Sequence, residues 1–278
     1  MSSEQLFRDV WAALVLSALP WMAAAARAQE PPSRELEHLN WMEVRELVPA
    51  RIRTVLLPLG TLEGHGVAVN GSDTIAPLAM ARAIAPKVNA LIAPAVPYGI
   101  TGSLEAYPGG LTIPDEAYRP YVRAILHGLA RSRFKNVILL NGHGGNTAAL
   151  NAVAAEVGRE AGIRTLVVNW WTFCSDVTLE VFGEDGGHAG ENENAYVMAV
   201  DPSNVRRERY TGPELAIANP APGAWSAYPS PASILLYKPG EGLPRFDAIK
   251  AKEYFDKVNA KVAALVEDIV GRWDRAGI

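Results

Sequence analysis

Short apolar runs alternate with helical patterns along most of this chain, and this alternation most restricts how the chain can fold. Between the runs, apolar residues recur at helical spacing, as Tyr118, Val122, Ile125 and Leu129 do. Strands separated by helices form βαβ units, whose strands are parallel. The sequence therefore predicts an α/β fold with a largely parallel sheet covered by helices on both faces.

The pattern also assigns the individual elements. Strands are predicted at 55–60, 90–94, 137–140 and 165–169. Helices are predicted at 36–48, 73–87, 115–132, 147–161, 191–200 and 246–273. A Gly-rich loop is expected at 98–110. The Pro-rich segment 219–242 is interpreted as an active-site flap, an oligomer contact or a long surface loop.

Length and composition limit the class of protein. The chain has 278 residues with 49% hydrophobic content, enough for one large domain with a full core. Its formal net charge is -4 and its basic residues form no long block, which argues against a nucleic-acid partner and favours a small molecule. The single cysteine, Cys174, excludes an intrachain disulfide and a cysteine-rich metal site. A bound metal must therefore be held by His, Asp and Glu.

The N-terminal residues have the pattern of a secretory signal peptide. The apolar run 10–26 ends at Ala26-Arg27-Ala28, which predicts cleavage after Ala28 and a periplasmic or secreted protein. This divides the chain into a leader at 1–28 and a single domain at 29–278, with no membrane contact once the leader is removed. An uncleaved membrane anchor and a misassigned start codon are the alternatives.

Two histidines follow predicted strands. Glu63 and His65 are two residues apart on an extended segment, so their side chains point the same way and can reach one cation or two adjacent ones. Asp73 can join them, or it can simply cap the following helix. His143 lies in a Gly-rich turn after the strand at 137–140, where it can bind a metal or cap the turn. The glycines of that turn can also form an anion-binding nest.

A third histidine, His188, is followed by Glu191 and Glu193 at a predicted helix start. The helix dipole alone favours acidic residues in this position. Three histidine segments, each after an apolar stretch, are nevertheless better explained by one metal site. Open α/β sheets bind their ligands at the carboxyl ends of their strands.

The three segments together resemble the creatininase (creatinine amidohydrolase) family. The matching motifs are LPLGTLEGHG at 57–66, NGHGGN at 141–146 and HAGENE at 188–193. The resemblance implies a three-layer α/β/α sandwich with a mostly parallel sheet. It also implies two divalent metal ions, Zn or Mn with Fe in some relatives, and hydrolysis of a C–N bond in a cyclic amide or formamide. A homo-oligomer, often a hexamer, is implied as well.

The resemblance also assigns roles to individual residues. The implied metal ligands, with Asp73 as the bridge between the two ions, are Glu63, His65, Asp73, His143 and Glu193. The implied catalytic residues are His188, which transfers a proton, and Glu191, which competes with Glu193 for the ligand position. Candidate substrate contacts are Trp171, Tyr107 and Asn146. Trp170 and Trp225 are further candidates for stacking on a flat substrate, with core packing as the alternative for each tryptophan.

Three departures from the family pattern argue against creatinine itself as the substrate. The segment 67–73 is one residue shorter than usual and lacks a second histidine, and the loop at 104–110 lacks its histidine. Gly145 stands where creatininase has a Glu.

We therefore expect a metal-dependent amidohydrolase acting on a small cyclic amide, ureide or formamide. The alternative is an exported metal- or ligand-binding protein without turnover. A non-metal α/β hydrolase is not favoured, because the sequence has no G-x-S-x-G elbow and Cys174 lacks a local signature.

Overall fold

The central sheet is parallel throughout. In the computed structural model, which describes residues 30–102, 104–105, 107–184, 186–210 and 244–278, its strands are β1 (Thr54–Leu59), β2 (Ala90–Ile92), β3 (Asn136–Asn141) and β4 (Arg164–Asn169). Their order is β2-β1-β3-β4. Leu59 pairs with Asn141, which pairs with Asn169. The ends of three strands therefore lie side by side at one edge of the sheet.

Eight α-helices flank this sheet in the described part of the chain. They are α1 (Trp41–Leu47), α2 (Ser72–Ile84), α3 (Asp115–Arg131), α4 (Thr147–Ala161), α5 (Trp170–Phe173), α6 (Ser175–Phe182), α7 (Glu191–Val200) and α8 (Ala248–Ala276). Short 3-10 turns precede α1 and α4 and follow α7.

Alternating side chains of the strands point into two separate cores. Leu56 and Ile138 belong to one core, together with buried residues of α2, α7 and α8. Leu57 and Leu139 belong to the other, together with buried residues of α3 and α4. Side chains of a strand alternate between its two faces, so β1 and β3, whose residues are all buried, carry apolar side chains on both faces. The predicted α/β/α sandwich is confirmed.

Local signals explain where several helices begin and end. Asn40 accepts hydrogen bonds from the backbone N–H groups of Met42 and Glu43, while the Glu43 carboxylate accepts from the Asn40 N–H, which makes a capping box at the start of α1. Asp247 caps α8 in a similar way by accepting from the N–H of Lys250. Gly162, at a φ of 62°, ends α4 in the left-handed conformation that glycine tolerates best.

The predicted elements differ from the observed ones in two places. The helix predicted at 36–48 is a 3-10 turn, Leu36–His38, followed by α1, because Asn40 starts a new helix. The sequence pattern predicts no element between β4 and α7, where the structure has α5 and α6. These two helices are separated by Cys174, whose φ and ψ of -105° and 20° interrupt a continuous helix.

Two sequence predictions lie outside the described residues: the leader at 1–28 and the segment 219–242 with Trp225. Residues Ser33–Ile278 form one compact unit. No described helix has the length and apolar character needed to cross a membrane.

The packing of β3 generates a stability prediction. Leu139 is fully buried, and replacing it with Ala leaves a cavity, so Leu139→Ala should lower the free energy of unfolding by about 2–5 kcal/mol. Leu179, half exposed on α6, is the matched control, and Leu179→Ala should cost less than about 0.5 kcal/mol. Chemical denaturation of both variants measures the difference, and equal losses would contradict the two-core arrangement.

Candidate metal centre

Loops at the carboxyl edge of the sheet bring the predicted site residues together. The loop after β1 carries Glu63 and His65 and runs into α2, where Asp73 is the second residue. His143 is the second residue after β3, His188 lies three residues before α7, and Glu193 lies in the first turn of α7. The candidate site is therefore at the edge where parallel sheets place their ligands.

One group of donors consists of Glu63, Asp73 and His143. His143 Nδ1 lies 3.1 Å from Glu63 Oε1 and 2.9 Å from Asp73 Oδ2. All three residues are buried. Their donor atoms lie within 4.8 Å of one another, which is close enough for one cation to contact all three.

A second group consists of His65, Asp73 and Glu193. His65 Nε2 lies 2.9 Å from Asp73 Oδ1 and 3.6 Å from Glu193 Oε2. Asp73 thus presents one carboxylate oxygen to each group. Asp73 Oδ2 is buried and lies 2.9 Å from His143 Nδ1. A cation that displaces the proton between an imidazole nitrogen and a buried carboxylate can be bound by both groups.

Backbone carbonyls orient all three imidazoles. The pairs are His65 Nδ1 with the Glu63 carbonyl at 3.1 Å, His143 Nε2 with the Ile100 carbonyl at 2.8 Å, and His188 Nε2 with the Gly64 carbonyl at 2.7 Å. In each pair the ring N–H donates to the carbonyl oxygen, so the other ring nitrogen faces the cluster. Metal-ligating histidines use this arrangement to fix their tautomer. The donor set therefore fits a metal.

The neighbouring carboxylates raise the pKa values of two of these imidazoles, His65 and His143. Burial opposes the charged form of His65, but the charge and hydrogen bond of Asp73 and the charges of Glu193 and Glu63 together outweigh burial and raise the pKa of His65 to about 10. The pKa of His143 is raised to about 10 against the same opposition, by the hydrogen bonds and charges of Asp73 and Glu63 together. Burial alone would raise the pKa of Asp73, yet the charges and hydrogen bonds of His65 and His143 together keep it below its usual range. The metal-free cluster thus already attracts positive charge.

The pKa of His188 is lowered, and the pKa of Glu193 is raised. Burial and the neighbouring charge of His65 lower the pKa of His188 to about 4, so this ring is neutral at pH 7. Its Nδ1 lies 3.4 Å from Glu63 Oε1, and its ring centroid is 4.5 Å from that of His65. Burial raises the pKa of Glu193 to about 7, and its carboxylate accepts a hydrogen bond from the Ala189 N–H at 2.7 Å.

Glu191 and Glu193, which the sequence left as alternatives for one metal-ligand position, have different contacts in the structure. Both carboxylate oxygens of Glu191 accept from the backbone N–H of Arg245, at 3.1 and 3.2 Å. Glu193 faces His65 instead. Side chains two residues apart on a helix point about 200° away from each other, so only one of these two carboxylates can face the cluster.

Asp73 does not cap its helix. The N-cap position of α2 is occupied by Gly71, and no side chain makes a capping hydrogen bond there. The charge of Asp73 in the first turn is still favoured by the helix dipole. The N-cap alternative for Asp73 is therefore wrong.

The candidate substrate contacts have different surroundings. Asn146 is buried, accepts from the Ile100 N–H at 2.9 Å and donates to the Gly60 carbonyl at 3.1 Å, so its amide holds loops together and does not face a substrate. Trp170 is a core residue, 1% exposed and packed on Tyr196. Trp171 is half-buried beside Gly144, and Tyr107 is half-buried in a small cluster with Leu104 and Ala189.

Two glycines of the motifs are required by close packing against α2. A Cβ on Gly60 would lie 2.4 Å from the carbonyl oxygen of Asp73, and a Cβ on Gly142 would lie 1.9 Å from the same atom. The first turn of α2 is thus wedged between the ends of β1 and β3. A Cβ on Gly145 would lie 2.0 Å from the Ile100 carbonyl, so this structure has no room for the side chain that creatininase carries there.

Sequence reasoning missed two residues that hold the cluster. Asn141, at the end of β3, accepts from the backbone N–H of His143 at 3.1 Å and donates to its carbonyl at 2.8 Å. Its place at the start of the NGHGGN motif was the available signal. The buried Thr101 hydroxyl donates to Glu63 Oε2. No sequence signal identified Thr101, because its partner lies in a distant loop.

Comparison with known proteins agrees with this geometry. The family model described as creatinine amidohydrolase matches residues 37–266. The chain belongs to the creatininase family. Creatininase-family relatives include the mycofactocin precursor peptide peptidase of Mycobacterium ulcerans (strain Agy99), 29% identical over 191 residues that cover 63% of this chain and 67% of the relative. The creatinine amidohydrolase of Pseudomonas putida is 28% identical over 191 residues, covering 62% of this chain and 73% of the relative.

A third relative and the solved structures extend the comparison. The 3-dehydro-scyllo-inosose hydrolase of Thermotoga maritima is 26% identical and covers 65% of this chain and 60% of its own. A creatininase crystal structure matches with a TM-score of 0.70 at 24% identity, covering 85% of this chain and 98% of that one. Other matching creatininase structures are a Zn-Zn type, at a TM-score of 0.70, and a Mn form, at 0.68. This creatininase-family chain is accordingly a hydrolase by family, with the creatininase fold.

Proton release on metal binding follows from the raised pKa values. His65 and His143 are protonated at pH 7, since their pKa values are about 10, and a cation must displace these protons. Filling both donor groups should release about two to three protons per chain, because Glu193, with a pKa of about 7, is also partly protonated, and the apparent affinity should rise between pH 6 and pH 8. Calorimetric titration with Zn in buffers of low and high ionisation enthalpy measures the release. A binding enthalpy that does not depend on the buffer would contradict it.

Proposed function

We propose that this protein is a two-metal amidohydrolase that cleaves a C–N bond in a small cyclic amide, ureide or formamide. The observation that carries the proposal is the buried Asp73 carboxylate, whose two oxygens face two separate donor groups. Glu63, Asp73 and His143 would hold one divalent cation, and His65, Asp73 and Glu193 would hold the other. Zn or Mn suits these nitrogen and carboxylate donors, with Fe as an alternative.

Two such cations, when bound, would supply an activated water at neutral pH and would polarise the substrate carbonyl. The protein's own contribution is to hold these donors in loops and helix starts at the carboxyl edge of the sheet and to keep most of them buried. The hydrogen bonds from ring N–H groups to backbone carbonyls keep the imidazole lone pairs directed at the cluster.

His188 is the residue that we propose transfers the proton. Its Nε2–H donates to the Gly64 carbonyl at 2.7 Å, which leaves the Nδ1 lone pair directed towards Glu63 Oε1 at 3.4 Å. With this tautomer, Nδ1 first accepts a proton from the attacking water. It then donates that proton to the departing nitrogen. His188 therefore acts as a base before it acts as an acid.

The relatives set the range of substrates to test. Their names describe a peptidase, a creatinine amidohydrolase and an inosose hydrolase. We favour a small cyclic amide because Trp171 and Tyr107 are half-buried aromatic residues near the His143 and His188 loops, suited to a flat group. Because one relative acts on a peptide, short peptides belong in the same screen.

Export and assembly are also proposals. The pattern at 1–28 supports export to the periplasm or medium, where the mature domain would act without a membrane contact. A homo-oligomer, hexameric as the family resemblance suggests, is the assembly we propose. The non-catalytic binding protein is the less favoured function, because the chain retains His188, the histidine to which the family resemblance assigns proton transfer.

His188 provides the test of function. In His188→Gln, hydrolysis should fall by about 10²–10⁴-fold because no side chain transfers the proton, while metal content stays at the wild-type level. The matched control is His127→Gln, since His127 contacts Glu160 on the surface between α3 and α4. The assay screens cyclic ureides, lactams, formamides and short peptides with the Zn- or Mn-loaded protein.

Full activity in His188→Gln would contradict the assigned role of His188. A wild-type protein that binds metal but hydrolyses no member of the panel faster than the chelated protein would favour the non-catalytic binding protein.

A further inference from the structure

The buried hydroxyl of Thr101 contacts the candidate metal ligand Glu63. Thr101 and Glu63 are each 1% exposed, and the Thr101 Oγ1–H donates to Glu63 Oε2. The other oxygen, Glu63 Oε1, lies 3.1 Å from His143 Nδ1 and 3.4 Å from His188 Nδ1. Thr101 thus occupies one carboxylate oxygen and leaves the other to face the cluster.

The residue before Thr101 holds a second member of the same donor group. The carbonyl of Ile100 accepts the Nε2–H of His143 at 2.8 Å. Consecutive residues therefore orient two of the three donors in the Glu63, Asp73 and His143 group. The donors of the other group, His65 and Glu193, are oriented by other partners, the Glu63 carbonyl and the Ala189 N–H.

Residues 99–101, called the strap below, are themselves held in place. The Ile100 N–H donates to Asn146 Oδ1 at 2.9 Å, and the Gly99 N–H donates to Thr61 Oγ1 at 3.2 Å. A Cβ on Gly99 would lie 2.4 Å from Asn146 Oδ1, so this contact depends on glycine. A strap fixed at several points can position the ligands that it touches.

We propose that Thr101 is a positioning residue that sets the affinity of one of the two cations, the one held by Glu63 and His143. The inference rests on the proposed two-metal site. The ligands of the two cations are oriented by different neighbouring residues. The binding of one cation can therefore be weakened while the other keeps its affinity.

A purely structural role for Thr101 would have a different signature. A hydroxyl that only satisfies a buried carboxylate contributes to the stability of the metal-free fold. A positioning hydroxyl changes the affinity of one cation beyond any change in that stability. Metal titration and thermal unfolding of the metal-free protein therefore need to be measured on the same variants.

The experiment compares Thr101→Val with Thr101→Ser, using chelator-stripped full-length protein titrated with Zn against a chromophoric chelator. Wild-type protein should bind two ions. In Thr101→Val one of them should bind about 10–100-fold more weakly while the other keeps its affinity. Thr101→Ser retains the hydroxyl and should restore both. Thr165→Val is the matched control, because its hydroxyl donates to the Ala154 carbonyl away from the cluster.

Should valine prevent folding, Thr101→Ala removes the same hydroxyl without adding bulk. Two unchanged affinities in the folded Thr101 variant would overturn the inference and leave the two-metal proposal intact, and so would equal weakening of both ions. A wild-type protein that binds fewer than two ions would contradict the proposed function itself, and the inference with it.

Discussion

The rest of the site depends on the Asp73 carboxylate, which is buried between the imidazoles of His65 and His143 and contacts both. It belongs to both donor groups, so neither group is complete without it. Its position is set by backbone packing, since the first turn of α2 fits between Gly60 and Gly142 at the ends of adjacent strands. Any side chain at either glycine would push the Asp73 backbone away. The fold thus builds the site by placing a helix start at the edge of a parallel sheet.

Charge explains why this arrangement favours a cation. Glu63, Asp73 and Glu193 gather around the imidazoles in a buried space, and their charges draw protons onto His65 and His143. Divalent cations would replace those protons with greater charge. His188 lies at the edge of the same cluster, yet burial and the charge of His65 lower its pKa and keep it neutral. The difference in pKa between His188 and the other two histidines therefore comes from their positions in the cluster.

Much of this was predictable from the sequence, for physical reasons. The parallel sheet followed from the alternation of apolar runs and helical patterns, and the carboxyl ends of parallel strands share an edge, so Glu63, His65 and His143 were expected to meet. The direction of a side chain within a helix start was not predictable, which left Glu191 and Glu193 as alternatives. Contacts between distant loops were not predictable either, so Thr101 was missed and Asn146 was given a substrate contact. Trp170 and Trp171 are neighbours in sequence, but only the fold shows that Trp170 lies in the core.

The most direct test of the two-metal account is anomalous diffraction from crystals of the Zn- or Mn-loaded protein, recorded at the absorption edge of the metal. The account predicts two anomalous peaks per chain, one on each side of Asp73, the first beside Glu63 and His143 and the second beside His65 and Glu193. A single peak, or peaks that Asp73 does not contact, would contradict the shared-carboxylate site.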